Sequence, residues 1–200
     1  MALNRLLLLS GGMDSIALAW SLRPKLSLTV DYGQLPAKGE IQAASAVCAE
    51  LGLSHRVLTI DCRSLGSGDL AGTPPLSKAP VSEWWPFRNQ LLVTVAATLA
   101  LKEELSSVVL GAVANDSSHA DGRPQFLMQM DALLRLQEGA LILEYPAINE
   151  RTVDLCKRVA IPHRVLAWAH SCHVASTGCG WCRGCTKHRE SMRELGYGEY

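Results

Sequence analysis

Short apolar runs alternate with segments of helical periodicity along the first 60 residues of the chain. The apolar run from Leu6 to Leu9 ends at a glycine pair, which is typical of a buried parallel strand. Apolar residues at helical spacing and a closing Gly52 or Pro24 mark the two helices that follow. The predicted order is strand 6–9, helix 14–22, strand 26–30, helix 38–51 and strand 56–60.

The remainder of the chain continues the alternation after a long interruption. Glycine and proline recur between Asp61 and Glu83, so this segment is predicted to be a loop. A strongly apolar helix is predicted from Trp84 to about Leu105, with Pro86 in its first turn. Further elements are predicted as strand 107–111, a polar loop 112–122, helix 125–138, strand 140–143, helix 150–159 and a last helix through residue 194. The order predicts an α/β fold, a Rossmann-like doubly wound parallel sheet of about five strands with helices on both faces.

Composition excludes several classes of protein. The chain has 200 residues, of which 48% are hydrophobic, so it fits one domain with a sizeable core. Nineteen basic residues balance nineteen acidic ones, which gives no broad electrostatic footprint for nucleic acid or an anionic membrane. No stretch approaches the roughly 20 apolar residues that span a bilayer. We therefore expect a cytoplasmic protein.

The segment from Ser10 to Ser15 carries the strongest functional signal. A Ser-Gly-Gly turn between a buried strand and a helix directs several backbone N–H groups at one point, where the helix dipole favours an anion. The serine hydroxyls can donate to phosphate oxygens, whereas Asp14 would act through a bound Mg²⁺. A serine-capped helix without a ligand is the alternative. The predicted phosphate-binding residues are Ser10, Gly11, Gly12, Met13, Asp14 and Ser15.

Two further segments place polar groups where a ligand is expected. Asp31-Tyr32-Gly33-Gln34 follows the second strand, next to the phosphate loop, where doubly wound sheets hold ligands. Arg88-Asn89 stands near the start of an apolar helix, and a guanidinium there suits a phosphate or a carboxylate. An ordinary turn and a helix cap with a surface salt bridge are the respective alternatives. Trp84 and Trp85 could stack on a purine-like ring or belong to the core.

Four of the seven cysteines crowd into the C-terminal tail. Cys172, Cys179, Cys182 and Cys185 lie among glycines and can form a tetrahedral cage of four sulfurs, for which Zn²⁺ is the expected ion. An iron–sulfur cluster and a redox pair are the alternatives. The histidines at 170, 173 and 188 are expected around this site and not as ligands. Cys48, Cys62 and Cys156 are scattered among apolar residues and are expected to be buried.

The loop Ser10 to Ser15 resembles the Ser-Gly-Gly-x-Asp-Ser motif of the PP-loop ATP pyrophosphatases. Together with the other segments, it resembles the 7-cyano-7-deazaguanine synthase family from Leu6 to about Glu194. The resemblance implies that ATP and Mg²⁺ activate the carboxylate of 7-carboxy-7-deazaguanine by adenylation, releasing pyrophosphate and AMP as ammonia converts the acid to the nitrile. It also implies structural Zn²⁺ and a homodimer without a membrane partner. Residues 1–169 would form the nucleotide-binding domain, and residues 170–200 the four-cysteine zinc segment packed on it.

Further site residues follow from this resemblance. Asp121 and Arg123 match an Asp and an Arg of the family's substrate loop, and Asp116 and Ser117 lie in the same loop. The surrounding Tyr-Pro and Cys of that loop are missing here, and Leu35-Pro36 replaces the basic residues that usually follow the second strand's motif. The catalytic set implied is Asp14, Ser15, Arg88, Asp121 and Arg123. The nucleotide set implied is the loop 10–15 with Asp31, Tyr32, Gly33, Gln34, Arg88, Asn89 and Gly111.

Two rival functions stay open at this level, and a third is disfavoured. The altered loop 112–123 fits an anti-phage defence enzyme that joins the activated acid to another amine, on a protein or a nucleic acid. A zinc-binding module that only senses ATP or AMP would bind nucleotide without releasing pyrophosphate. A thiolation enzyme is disfavoured because Cys62 and Cys156 lie away from every motif.

Overall fold

A computed structural model describes residues 4–114 and 119–198 of the protein. In these two ranges, five strands form one sheet in the order β3-β2-β1-β4-β5, and every neighbouring pair is parallel. This arrangement confirms the predicted α/β class with a doubly wound parallel sheet. The strands are β1 (Arg5–Leu8), β2 (Leu26–Asp31), β3 (His55–Thr59), β4 (Ser107–Val109) and β5 (Ile142–Glu144).

Helices cover both faces of this sheet. The helices are α1 (Met13–Leu22), α2 (Ala37–Leu51), α3 (Arg88–Lys102), α4 (Pro124–Arg135), α5 (Thr152–Arg158), α6 (His163–Leu166) and α7 (Arg183–Glu194). Successive leucines of the central strand alternate between the two faces. Leu6 and Leu8 join the core with α3 and α4, whereas Leu7 joins the core with α1, α2, α5 and α7. Both faces of β1 are therefore buried, as its unbroken apolar run requires.

The predicted start of the third long helix was wrong. Helix α3 begins at Arg88, and Pro86 lies outside it. Phe87 has a left-handed backbone, with φ at 55°, so the helix cannot extend back through it. Trp85 is buried against Tyr32, with ring centroids 4.9 Å apart, and thus belongs to the core. Val93 and Ala96 on α3 are also buried in this chain's own core, and the homodimer stays a prediction.

Smaller differences concern the ends of elements. Strand β5 begins at Ile142 and not at residue 140, and the short helix α6 after Pro162 was not predicted. The segment 61–83 is a loop, as predicted, with one short 3-10 turn at Arg63–Leu65. Cys48, Cys62 and Cys156 are buried free thiols, also as predicted. No helix of the described ranges is both long and apolar enough to cross a membrane.

Strand β1 lies at the point where the order of the sheet reverses. Its neighbours β2 and β4 are followed by connections to opposite faces, which opens a crevice at their carboxyl ends. The segment Ser10 to Ser15 leaves β1 into this crevice and runs into α1. The fold alone therefore brings the predicted phosphate loop to the position where open α/β sheets bind ligands.

Candidate functional site

A cavity of about 310 Å³ opens at the carboxyl ends of β1, β2 and β4. Nine of the predicted site residues line it, so the fold brings the phosphate loop and the start of α3 together. Its other walls come from the loop before α3 and from the C-terminal tail. The nine residues are Ser10, Gly12, Met13, Asp14, Ser15, Tyr32, Arg88, Asn89 and Gly111. Asp116 and Ser117 lie outside the described residues.

The hydroxyl groups of the phosphate loop are ordered by the loop itself. Ser15 is buried, and its Oγ donates a hydrogen bond to the carbonyl oxygen of Gly12 at 2.9 Å. Ser10 Oγ lies 3.3 Å from Ser15 Oγ and accepts from the backbone N–H of Gly12 at 3.4 Å. Ser10 itself is exposed toward the cavity. The loop thus presents one positioned hydroxyl and the start of α1 to the cavity.

The two glycines of the loop have different structural roles. Gly11 has φ at +77°, and a Cβ there would lie 2.7 Å from the carbonyl oxygen of Glu40 and 2.9 Å from Ala43 Cβ. Gly12 has an ordinary φ of −79°, and the nearest atom to a Cβ would be Ser10 Oγ at 3.5 Å. Gly11 therefore permits close packing of the loop on α2, whereas Gly12 keeps the cavity wall open.

Replacing Gly11 by alanine is expected to lower the free energy of unfolding by about 2–4 kcal/mol, because a strained φ and a backbone collision add. Urea unfolding followed by circular dichroism measures this. Gly52→Ala is the matched control, since Gly52 also has a positive φ of +63° but nothing within 4 Å of its Cβ position. It is expected to lose only about 1 kcal/mol. Equal losses in the two variants would contradict the collision.

The segment after β2 is held mainly by hydrogen bonds within itself. Gln34 accepts from the backbone N–H of Tyr32 at 2.9 Å and donates to the carbonyl oxygen of Val30 at 3.2 Å. Asp31 accepts from the N–H of Gly33 at 3.0 Å. Of the described residues in this motif, the cavity lining includes Tyr32 but not Asp31, Gly33 or Gln34. The last three shape the turn that presents Tyr32.

Glu40 on α2 also lines the cavity and was not predicted. Burial raises the pKa of its carboxyl to about 7, even though Gln34 Nε2 donates to it at 2.7 Å and the positive charge of Arg88 opposes the shift. The negative charge of Asp31 raises the pKa further. Glu40 is therefore protonated in the folded state below about pH 7.

This raised pKa predicts a stability change with pH. The folded state binds more protons than the unfolded state between the two pKa values, 4.5 and about 7, so the contribution of Glu40 to stability falls as pH rises through this window. The side chain in Glu40→Gln stays neutral at every pH. The difference in the free energy of unfolding, variant minus unmodified protein, is therefore expected to increase by about 2 kcal/mol between pH 5 and pH 8. Urea unfolding at both pH values measures this difference. A constant difference would show that the carboxyl titrates normally.

Asp121 holds the start of α3. Its carboxylate accepts from the backbone N–H of Asn89 at 3.0 Å, and its carbonyl oxygen accepts from the Asn89 side chain at 3.1 Å. It therefore supports the turn that carries Arg88, whose guanidinium hydrogen-bonds to Tyr32. Asp121 and Arg123 are not among the described residues that line the cavity, and Arg123 lies exposed at the start of α4. The sequence predicted both residues in the site, and neither lines this cavity, so their roles stay predictions.

Helix α7 forms a wall of the cavity that sequence reasoning missed. Arg183 and Lys187, one turn apart, both line the cavity, and Lys187 Nζ lies 4.0 Å from Asp14 Oδ2. The tail before α7 is joined to the phosphate loop, since the N–H of His170 donates to the carbonyl oxygen of Gly11 at 2.8 Å. The spacing of four residues between two basic side chains was the available signal. Only the fold shows that this helix faces the loop.

The four C-terminal cysteines converge, as predicted. Their Sγ atoms all lie within 4.8 Å of one another, with Cys179 and Cys185 at 3.8 Å and Cys172 and Cys182 at 3.9 Å. The N–H groups of His173 and Cys185 both donate to Cys182 Sγ at 3.4 Å, which favours the thiolate. Sulfurs about 2.3 Å from one tetrahedral ion lie about 3.8 Å apart, so this donor set fits a metal ion.

The histidines of the tail lie on the cavity side of the cysteine cluster. His170, His173 and His188 all line the cavity. His170 Nε2 lies 3.1 Å from the carbonyl oxygen of Ala175, and His188 Nδ1 lies 2.9 Å from Ser171 Oγ. Within the described residues, the group that can hold a metal consists of the four cysteines alone. One of the four cysteines, Cys172, lines the cavity itself, so the cysteine cluster adjoins the cavity wall.

Comparison with known families decides the relationship that this geometry suggests. The family model described as queuosine biosynthesis protein QueC matches residues 4–196 of the chain. The chain belongs to the QueC family. The resemblance carried by the phosphate loop, the segment after β2 and the cysteine cluster is thereby confirmed.

Relatives within this family are similar over most of their length. The chain is 34% identical to the 7-cyano-7-deazaguanine synthase of Desulforudis audaxviator (strain MP104C), over 96% of this chain and 97% of that protein. It is 30% identical to the synthase of the same description from Synechococcus elongatus, covering 96% of this chain and 92% of that protein.

A solved structure shares the fold. The U34-tRNA thiolase NcsA from Methanococcus maripaludis, with its [4Fe-4S] cluster, aligns with a TM-score of 0.58 and 15% identity, covering 98% of this chain and 73% of that one. At this identity the likeness is one of architecture.

Proposed function

We propose that this chain adenylates the carboxylate of 7-carboxy-7-deazaguanine with ATP and converts it, with ammonia, to 7-cyano-7-deazaguanine. One observation carries the proposal: the phosphate loop of a QueC-family chain lines the same cavity as Arg88 and Lys187. Two cationic side chains and a helix N-terminus around one loop suit the triphosphate of ATP. The cavity also has room beyond the loop for a second ligand, because its walls continue to α3 and α7.

The reaction requires positioning more than acid–base chemistry. The carboxylate oxygen attacks the α-phosphorus of ATP, a P–O bond to pyrophosphate breaks, and the acyl adenylate forms. Ammonia displaces AMP to give the amide; a second adenylation, now of the amide oxygen, is followed by loss of AMP and two protons to give the nitrile. Adenylation turns an inert oxygen into a leaving group, so alignment and charge neutralisation supply most of the acceleration.

Roles for this chain's residues follow from their places in the cavity. Ser10 and the N–H groups at the start of α1 would bind pyrophosphate oxygens, with Ser15 orienting Ser10 through its hydroxyl. Arg88 and Lys187 would neutralise the phosphates or the substrate carboxylate. Asp14 would hold Mg²⁺, a cation that binds carboxylate and phosphate oxygens and neutralises the charge of the leaving pyrophosphate.

We propose Zn²⁺ for the cysteine site. The approach of all four Sγ atoms within 4.8 Å supports a single ion, because the thiolates around a four-iron cluster bind different irons and must stand further apart. The ion would fix the start of α7 and add to the stability of the fold without taking part in the reaction. Metal analysis of the purified protein distinguishes one zinc from four irons per chain.

Incubation of the purified protein with ATP, Mg²⁺, 7-carboxy-7-deazaguanine and ammonium tests the function. We expect pyrophosphate release that depends on the acid, and mass spectrometry should detect the amide and then the nitrile. Absence of acid-dependent pyrophosphate release would refute adenylation. Release with neither amide nor nitrile would show that ammonia does not accept the activated acid.

A further inference from the structure

A buried carboxylate outside the predicted site lines the cavity. Glu83 lies five residues before α3, near the end of the long loop that precedes it, and its side chain is only 7% exposed. A buried charge is unfavourable unless it is paired and hydrogen-bonded. Neither the motif of the phosphate loop nor the cysteine cluster accounts for an acidic side chain at this point.

The closest polar partners of Glu83 contact one of its two carboxylate oxygens. Arg183 Nη1 donates to Oε1 at 2.9 Å, and His119 Nε2 lies 4.0 Å from the same oxygen. Oε2 has a 3.5 Å contact with Ser82 Oγ, but the single proton of that hydroxyl has a much shorter acceptor, Asp69 Oδ2, at 2.6 Å. The guanidinium therefore orients the Glu83 carboxylate, which retains acceptor capacity.

Helix α7 contacts both Glu83 and the phosphate loop. Arg183, which binds Glu83, and Lys187, which lies 4.0 Å from Asp14, are four residues apart on the same helical face. Side chains at this spacing stand about one helical turn from each other. The Glu83 carboxylate and the phosphate loop therefore line the same cavity, and each contacts a basic side chain of α7.

We infer that Glu83 is the group that recognises the guanine-type edge of the substrate. This inference rests on the proposed function, which makes a deazaguanine acid the substrate. The ring carries two adjacent donors, N1–H and the 2-amino group, and a carboxylate accepts two parallel hydrogen bonds. The carboxyl group at C7 stands on the five-membered ring, away from that edge. Binding of the edge by Glu83 directs the carboxyl group along the wall toward the phosphate loop.

Equilibrium binding to the full-length, metal-loaded protein tests this assignment. The probes are 7-carboxy-7-deazaguanine and its analogue without the 2-amino group, measured by calorimetry. The unmodified protein is expected to bind the amino compound about 10- to 100-fold more tightly, the range of one or two charge-assisted hydrogen bonds. In Glu83→Gln the preference should fall to about threefold or less, because an amide group loses the charge and one acceptor.

Two control variants separate recognition from a structural role. Glu103→Gln removes a carboxylate that is paired with Arg56 on the surface, and it should keep the preference. Arg183→Gln removes the charge of the contact between α7 and the loop but keeps an N–H donor for the Glu83 carboxylate, so both affinities should fall while the preference persists. If Glu83 only ties the loop to α7, then Glu83→Gln weakens both ligands equally, and an unchanged ratio overturns the inference.

The outcome is distinguishable from failure of the proposed function. Acid-dependent pyrophosphate release tests adenylation and requires no preference between the two rings. The ratio of dissociation constants tests Glu83 and requires no reaction. Equal binding of both compounds by the unmodified protein would overturn the role of Glu83 even if pyrophosphate is released.

Discussion

Replacing Asp14 by asparagine is expected to lower acid-dependent pyrophosphate release about 10²–10³-fold, the usual effect of removing one group that stabilises charge in a transition state. Asp14 lies in the first turn of α1 and lines the cavity beside Ser10 and Ser15. At this position a carboxylate would repel a bare triphosphate, so the role proposed for Asp14 is to hold Mg²⁺ against the phosphates. Asparagine keeps the shape of the side chain but not its charge, and the concentration of Mg²⁺ needed for half-maximal rate should rise.

Asp154→Asn is the matched control. Asp154 also lies in the first turn of a helix, α5, and it is paired with an arginine, but it is on the surface. Pyrophosphate release and Mg²⁺ dependence should be unchanged in this variant. Urea unfolding of both variants excludes a fold defect. An Asp14→Asn protein with a rate within about threefold of normal would remove Asp14 from the charge-stabilising groups.

The central part of the fold was predictable because its sequence signals are local. Leu6 to Leu9 is apolar at every position, which is the pattern of a strand buried on both faces, and the glycine pair that follows marks its end. Gly52, with its left-handed backbone, ends α2 at the predicted residue. These signals depend on neighbours along the chain, so the sheet and the phosphate loop could be derived from the sequence.

The start of α3 was not predictable from propensity. A proline usually suits the first turn of a helix, but Phe87 adopts a left-handed backbone between Pro86 and Arg88. The N–H of Asn89 is instead bonded to Asp121, more than thirty residues away. Such a contact exists only after the chain has folded, and no local sequence pattern predicts it.

The residues that line the cavity could also be predicted only in part from the sequence. Resemblance to a family motif led to Asp121 and Arg123, which support or flank the cavity, and overlooked Glu83 and Lys187, which line it. Both overlooked residues lie outside the recognised motifs, one in an irregular loop and one in the helix after the cysteines. Their approach to the phosphate loop depends on how α7 packs.

Replacing Cys182 by serine is expected to remove the metal and lower the free energy of unfolding by more than about 3 kcal/mol, since binding energy at a structural zinc site is also folding energy. Cys182 caps α7 with its own sulfur, which accepts the N–H of Cys185 at 3.4 Å. Its sulfur also lies 3.9 Å from that of Cys172. A serine hydroxyl can still accept this N–H as a helix cap, so the substitution removes one thiol of the four-cysteine cluster and leaves the cap.

Cys48→Ser is the matched control, because Cys48 is a free thiol buried in the core that α1 and α2 form against the sheet, away from the cysteine cluster. It should keep the metal and lose about 1 kcal/mol. Metal analysis and urea unfolding, with and without a chelator, measure both effects. A Cys182→Ser protein that keeps one equivalent of metal and normal stability would contradict the expected role of the site.

The loss of metal should also weaken ligand binding in the cavity. Arg183 and Lys187 follow Cys182 on α7, and they make the contacts with Glu83 and Asp14. When the start of α7 is no longer fixed, neither side chain is held against its partner. We expect the remaining folded Cys182→Ser protein to bind both ATP and the deazaguanine acid more weakly, whereas Cys48→Ser binds both normally. Calorimetry at a temperature where both variants are folded separates this effect from stability, and normal binding by metal-free protein would show that α7 keeps its place without the ion.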